Sequence, residues 1–177
     1  VFEDLGPFDY VYNCAAEFGR WNGEDYYENL WRTNAIGTKN IIRLQEKFGF
    51  RLIHFSSSEV YGDYPNIMVE NVMDEYEIKQ LNDYAMSKWV NEMQIKNSGI
   101  QYGTESVVVR IFNTYGPRQS ARAIIPTIIS QLMNDELIIK LGNTSSTRDF
   151  NYIEDTISGF VKCLNSNKAI GETINIG

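Results

Sequence analysis

Apolar and polar positions along this chain sort into two kinds of segment. Some are short and almost wholly apolar; others are longer, with apolar residues three or four apart. Residues 8–16 (FDYVYNCAA) form a short apolar run ending in small residues, which predicts a buried strand. Residues 24–48 follow with helical spacing, set by Tyr27, Leu30, Trp31, Asn34, Ile41 and Leu44. Residues 50–56 (FRLIHFS) predict a second strand running into a series of serines. Residues 64–77 are polar and irregular, with Pro65, and read as a loop over a site. Helical spacing returns over 78–96 through Leu81, Tyr84, Ala85, Lys88, Trp89 and Glu92. Residues 106–112 (SVVVRIF) are rich in β-branched side chains and predict a third strand, after which Gly116-Pro117 breaks the chain. A helix is expected over 123–134, with Pro126 near its first turn, where proline is tolerated. A short strand over 136–140, a helix over 153–165 and a strand over 173–176 complete the pattern.

Strands alternate with helices, and that order favours parallel βαβ units in an α/β, doubly wound sheet. Ligands in such sheets sit beyond the carboxyl ends of the strands. The serine run, Asn113 and Ala15-Ala16 all fall at such ends and are expected to face one crevice.

Composition narrows the function classes. The 177 residues carry a net charge of −7 and no basic stripe, which argues against nucleic acid as a partner. No apolar run approaches the roughly 20 residues needed to span a bilayer, so no membrane partner is expected. Cys14 and Cys163 both read as small buried hydrophobes, which suits a reducing, cytoplasmic setting. The one histidine, His54, lies inside a strand pattern and reads as a packed core residue. With so few nitrogen and sulfur ligands, no metal site is expected.

The chemistry concentrates on the 78–96 helix. Tyr84 and Lys88 are four residues apart, so phenol and ammonium share one helix face. A neighbouring lysine favours phenolate and is expected to lower the tyrosine pKa, and a phenol so tuned can exchange a proton with an alcohol. A serine hydroxyl from the preceding strand end can bond the same oxygen. Taken alone, the pair also fits an amphipathic helix with a snorkelling lysine.

Its surroundings decide between these readings. Ser56-Ser-Ser-Glu-Val-Tyr-Gly62 ends the strand before it, and Arg110-Ile-Phe-Asn-Thr-Tyr-Gly-Pro117 ends the strand after it. Thr147-Arg-Asp-Phe-x-Tyr-x-x-Asp155 follows. In this order the motifs resemble the extended short-chain dehydrogenase/reductase family, the NAD-dependent sugar-nucleotide epimerases and dehydratases. The resemblance implies a partial Rossmann-like sheet. Residues 1–115 or so match the second half of its core, and about 116–177 match part of the substrate lobe with elements returning to the core.

The same resemblance assigns roles. Tyr84 matches the acid/base, Lys88 the lysine that holds the nicotinamide ribose, and Ser57 the residue that bonds the sugar hydroxyl. Ala15, Ala16, Thr33, Ser56 and Phe112 match cofactor-side positions, although Asn13-Cys14 replaces the usual His-Leu before the alanines. Asn113, Arg118 and Arg148 match positions near the substrate diphosphate, where a planar guanidinium suits phosphate oxygens. Arg118 and Arg122 equally suit a capping role on the next helix. Ser58-Glu59 matches the acid/base position of 4,6-dehydratases, which implies a nucleotide-sugar 4,6-dehydratase. A 4-epimerase or a UDP-glucuronate decarboxylase is the alternative, since decarboxylases carry a similar run around that glutamate. Residues 116–129 and 140–150 are similar to dehydratases acting on UDP-N-acetylglucosamine, whereas residues 82–92 are similar to a neighbouring branch. A catalytically silent homologue used for binding is the non-enzyme alternative, and the intact Ser57, Glu59, Tyr84 and Lys88 speak against it. The family also implies a nucleotide-diphosphate sugar as partner and a homodimer built on the 24–48 and 78–96 helices, with Trp31 and Trp89 among the aromatics that either a partner would cover or the core would pack.

NAD binding in this family needs a Gly-x-x-Gly-x-x-Gly turn after the first strand, and an acidic residue that separates NAD from NADP. Neither occurs here, and the chain opens at Val1, so a truncated domain is expected. The 177 residues alone are therefore predicted not to retain NAD. A fluorescence titration with NAD measures this, and ordinary affinity would contradict it.

Overall fold

The computed structural model describes residues 6–18, 25–134 and 137–177. Four parallel strands form the main sheet in the order β1-β2-β3-β6. These are β1 (Tyr10–Asn13), β2 (Arg51–Ser57), β3 (Ser106–Ile111) and β6 (Thr173–Ile176). Alternation within β2 explains why both faces are covered. Leu52 points to one side, where it packs with Ile42, Phe50, Ile95 and Val108. Ile53 points to the other, with Val107, Val109, Phe160 and Cys163. A strand apolar on both faces belongs inside a helix–sheet–helix sandwich.

The helices supplying those layers are α1 (Tyr27–Trp31), α2 (Gly37–Phe48), α3 (Val72–Glu75), α4 (Asp83–Tyr102), α5 (Ile124–Met133) and α6 (Ile153–Asn165). A second, two-stranded parallel sheet joins β4 (Asn113–Tyr115) to β5 (Phe150–Tyr152). The doubly wound α/β arrangement expected from the sequence is present.

Several boundaries differ from the sequence expectation. The 24–48 helix is interrupted by a π-turn over Arg32–Ile36, and its first expected residue, Glu24, lies outside the described residues. The 78–96 helix starts later, because the Asn82 side chain accepts from the Ala85 N–H at 2.8 Å and so caps the helix. It also runs on to Tyr102 and stops at Gly103, whose φ of 67° suits only a residue without a Cβ. The 64–77 loop contains the short helix α3, anchored by buried Val72. The strand expected over 136–140 is not formed by its described residues, 137–140. Instead the Gln131 amide clasps Lys140, donating to its carbonyl at 2.9 Å and accepting its N–H at 2.7 Å. Cys14 is exposed rather than buried, because β1 ends one residue before it; Cys163 is buried as expected.

One buried ion pair ties the layers together. Arg110 of β3 meets Glu92 of α4 at 2.8 Å, with side chains only 3% and 5% exposed. Arg110 also donates to the Tyr61 hydroxyl at 2.8 Å and the Glu70 carbonyl at 3.0 Å. Tyr61 donates onward to Asn175 of β6 at 2.8 Å. Removing one member strands the other charge in a dry interior, so Arg110→Leu is expected to cost about 3–5 kcal/mol. Urea unfolding of the full protein measures this, and the double variant Glu92→Leu/Arg110→Leu is expected to recover part of the loss.

Candidate active site

The site assembles where β2 ends and α4 begins. Ser57 is the last residue of β2, and its hydroxyl accepts from the Glu59 N–H at 3.2 Å, capping a 3-10 turn over Ser58–Tyr61. Gly62 closes that turn at a positive φ, and any Cβ there would strike the Lys79 carbonyl. Gly62 is thus required by the close approach of the 78–82 segment, which delivers Asn82 and the start of α4.

Tyr84 lies in the first turn of α4, with its phenol near enough to Ser57 for that side chain to act on its pKa. Lys88 sits one turn on, with Nζ 5.7 Å from the Tyr84 ring centre. That ammonium donates to the Phe55 carbonyl at 2.7 Å. Glu59 accepts from the Asn82 amide at 3.0 Å, so a single asparagine both caps α4 and holds the carboxylate. Ser57, Glu59, Tyr84 and Lys88 are therefore brought into one cluster, with Ser58 half-buried between Ser57 and Glu59.

Electrostatics modify the expectation for the tyrosine. Burial raises the Tyr84 pKa, the Ser57 side chain opposes this, and the Glu59 charge adds to it. The lysine was expected to lower that pKa. Its ammonium is instead anchored on the strand carbonyl, beside the ring rather than on the phenol oxygen. Lys88 is itself held down to about 8, chiefly by burial, with the charges of Cys14 and Glu92 pulling the other way.

On the cofactor side, Ala15 is exposed and Ala16 half-buried just past β1. The Ala15 N–H is held by Asn13 Oδ1 at 3.3 Å. Asn34, buried in the π-turn, accepts from the Glu17 N–H at 2.8 Å and donates to the Glu17 carbonyl at 3.0 Å and the Ser87 hydroxyl at 2.9 Å. The strand-end loop is thereby stitched to α4. Thr33 is half-buried in the same π-turn. Ser56 departs from its expected cofactor role. Its side chain faces α4 and donates to Glu92, because alternation in β2 sends Ser56 and Ser57 to opposite sides.

The substrate side is more open. A cleft of about 480 Å³ lies beyond the carboxyl ends of β3 and β6, lined by residues including Phe112, Asp149 and Asn175. Asn113 is exposed and pairs with Phe150, which puts Arg148 two residues upstream of its partner. Arg118 and Arg148 are both exposed, and the described hydrogen bond of Arg148 goes to the Thr147 carbonyl. These residues are not drawn into the Tyr84 cluster by any described contact. Of the two readings open for Trp89, the structure shows core packing, against Val60, Tyr61 and Val72.

Sequence reasoning missed Asn82 and the Asn34–Ser87 stitch. Asn82 had a signal, being an asparagine three residues before Ala85 at a helix start. Asn34 had a weaker one, a polar residue on the buried face of a helical pattern.

The model of the NAD-dependent epimerase/dehydratase family matches residues 1–177. Among curated proteins, a UDP-glucuronic acid decarboxylase 1 from Danio rerio is 34% identical over 96% of this chain and 41% of its own length. A putative UDP-glucose 4-epimerase from Methanocaldococcus jannaschii is 34% identical over 81% of this chain and 47% of its own. Among solved structures, a UDP-glucuronic acid 4-epimerase from Bacillus cereus, in complex with UDP-glucuronic acid and NAD, is 30% identical with a TM-score of 0.85. That likeness covers 99% of this chain and 55% of the other. The chain thus spans about half the length of the relatives it matches.

The cap is open to a direct test. Asn82→Ala is expected to cost about 1 kcal/mol, the usual cost of losing a side-chain cap. Thermal unfolding measures the loss, and Asn82→Asp is expected to restore the cap while leaving Glu59 without its donor.

Proposed function

The chain belongs to the NAD-dependent epimerase/dehydratase family, and from that premise we propose that the protein oxidises C4 of a nucleotide-linked sugar, eliminates water across C5 and C6, and returns the hydride taken from C4 to C6 as C5 regains a proton, giving a 4-keto-6-deoxy sugar. The observation that carries this reading is the gathering of Ser57 and Tyr84, with Lys88 one turn away and Glu59 held at the same strand end. Ser57 orients the C4 hydroxyl, and Tyr84 takes its proton. Glu59 stands ready for a second proton transfer, which dehydration needs and simple epimerisation does not.

The donor set suits NAD. Lys88 has three N–H groups and gives one to Phe55, which leaves two for ribose hydroxyls. The small Ala15 and Ala16 at the end of β1 allow a flat ring close approach. NAD, when bound, supplies the two-electron oxidant and a cationic ring that favours phenolate over phenol. Asn113 and Arg148 are the side chains proposed to meet the sugar diphosphate.

Decarboxylation of a UDP-hexuronate is the second reading. It is favoured by the likeness to UDP-glucuronic acid decarboxylases, several of them 30% or more identical. Oxidation at C4 serves both, because a 4-ketone acidifies C5–H and equally activates loss of the C5 carboxylate. Exposed Ile36, Met86 and Met93 on the α2 and α4 side support a dimer of two such chains.

Incubation of the full-length enzyme with dTDP-glucose, UDP-N-acetylglucosamine and UDP-glucuronate separates the outcomes. A base-absorbing 4-keto-6-deoxy product supports dehydration, release of carbon dioxide supports decarboxylation, and a C4 epimer alone defeats both. Tyr84→Phe is expected to lose at least about a hundredfold in kcat, the low end for a general base. Lys88 carries its charge below about pH 8 and loses it above, so activity is expected to fall along an alkaline limb near that pH. A pH–rate profile flat through that range would contradict the assignment of Lys88.

A further inference from the structure

Strand β2 and helix α4 meet in a row of paired side chains. On its α4-facing side β2 presents Leu52, His54 and Ser56 in turn. Leu52 packs with Ile95, and Ser56 donates to Glu92. His54 lies between them and is fully buried. The α4 face that meets the strand carries Lys88, Asn91, Glu92 and Ile95, all buried at helical spacing. Glu92 turns toward β3, where it meets Arg110. With Leu52 in the Ile95 cluster and Ser56 bonded to Glu92, the register brings buried Asn91, the residue before Glu92, to the level of His54.

Both side chains are incompletely partnered. His54 Nδ1 lies 3.2 Å from Asn13 Nδ2, which also donates to Thr38 Oγ1 at 3.2 Å. An amide nitrogen can only donate, so Nδ1 accepts and the ring proton resides on Nε2. That Nε2 has no protein partner among the described residues, and neither does the Asn91 amide, on nitrogen or oxygen. An unmet buried donor facing an unmet buried acceptor is the setting in which proteins hold internal water.

We infer that one internal water molecule joins His54 Nε2 to Asn91, and that through this joint His54 acts as a positioning residue for Lys88. The inference rests on the proposed role of Lys88. Thr38, Asn13, His54, the water and Asn91 then form a continuous polar strip from α2, across β1 and β2, to α4. Asn91 is one turn from Lys88, and Phe55, whose carbonyl anchors the ammonium, directly follows His54. The strip therefore sets the height of α4 over β2 at the point where the lysine must reach the carbonyl. The groups facing His54 are Asn13 of β1, Val108 of β3, and Lys88 and Asn91 of α4, with Glu92 already engaged by Arg110 and Ser56. Burial and the Lys88 charge both oppose protonation of the ring, so it remains a neutral donor.

His54 is the one histidine of these 177 residues, and in the full-length protein its ring nitrogen-15 signals are assigned by their loss in His54→Gln. In the labelled full-length protein the expected result is an Nε2-protonated neutral ring whose titration lies well below the ordinary histidine range. The Nε2 proton should show a cross-peak to a long-lived water. An Nδ1-protonated ring, a normal titration, or a direct His54–Asn91 bond without water overturns the inference, whatever reaction the enzyme performs. In kinetics, His54→Leu is expected to lower kcat about tenfold with KM within about twofold, as for a small misplacement of a reacting group. His54→Gln, which keeps an N–H at the same height, is expected to recover most of that loss. Asn91→Leu should match His54→Leu, and the double variant should be no worse, because both break one strip. Equal kcat in His54→Leu and the parent overturns the positioning role while leaving the C4 oxidation intact.

Discussion

The buried pair of Glu92 and Arg110 is the constraint around which the molecule is arranged. Arg110 commits its guanidinium to four hydrogen bonds, two to Glu92 and one each to Tyr61 and the Glu70 carbonyl. Glu92 in turn takes the Ser56 hydroxyl. Two charges out of water are tolerated only with such complete satisfaction. The arrangement leaves little freedom in the relative position of β2, β3, α4 and the turn after β2. Ser57 and Tyr84 are close because their neighbours Ser56 and Glu92 are already bonded beneath them. Asn175 and Met68 extend the same network to β6 and the 64–77 loop, through a 3.0 Å bond from the Asn175 amide to the Met68 carbonyl.

Much of this was legible in the residue pattern. The β-branched run of β3 and the alternation of β2 gave parallel, doubly covered strands because burial on both faces leaves a distinct apolar signature. Tyr84 with Lys88, and Ser57 with Glu59, were legible because each pair lies within one short segment; that the two segments meet was implied by the resemblance of their motifs to the family. The illegible parts depend on contacts distant in sequence. Asn34 bonds Ser87 across 53 positions. The π-turn that places Asn34 has no sequence pattern of its own. The 136–140 run looked like a strand because Leu137, Ile138 and Ile139 are apolar, yet among the described residues no strand pairs with 137–140, and the Gln131 amide meets Lys140 instead.

The lysine shows how tertiary context reverses a local rule. Helical spacing places Lys88 one turn from Tyr84, and a cation so placed is expected to favour the phenolate. Its partner is nonetheless the Phe55 carbonyl, a group known only once β2 and α4 are packed together. Burial then acts on both groups toward their neutral forms, raising the tyrosine and lowering the lysine. The site as folded holds a neutral phenol beside a reluctant cation, and bound ligands must tip that balance.

Asn82 carries a consequence of another kind. Its amide nitrogen grips Glu59 while its oxygen holds the Ala85 N–H in the first turn of α4. Position 59 and the helix bearing Tyr84 are thus geared together through one side chain. A substitution at position 59 therefore releases one end of the side chain whose other end caps the helix bearing Tyr84. The two positions share one amide, so a change at one is felt at the other through the freedom it gives that side chain.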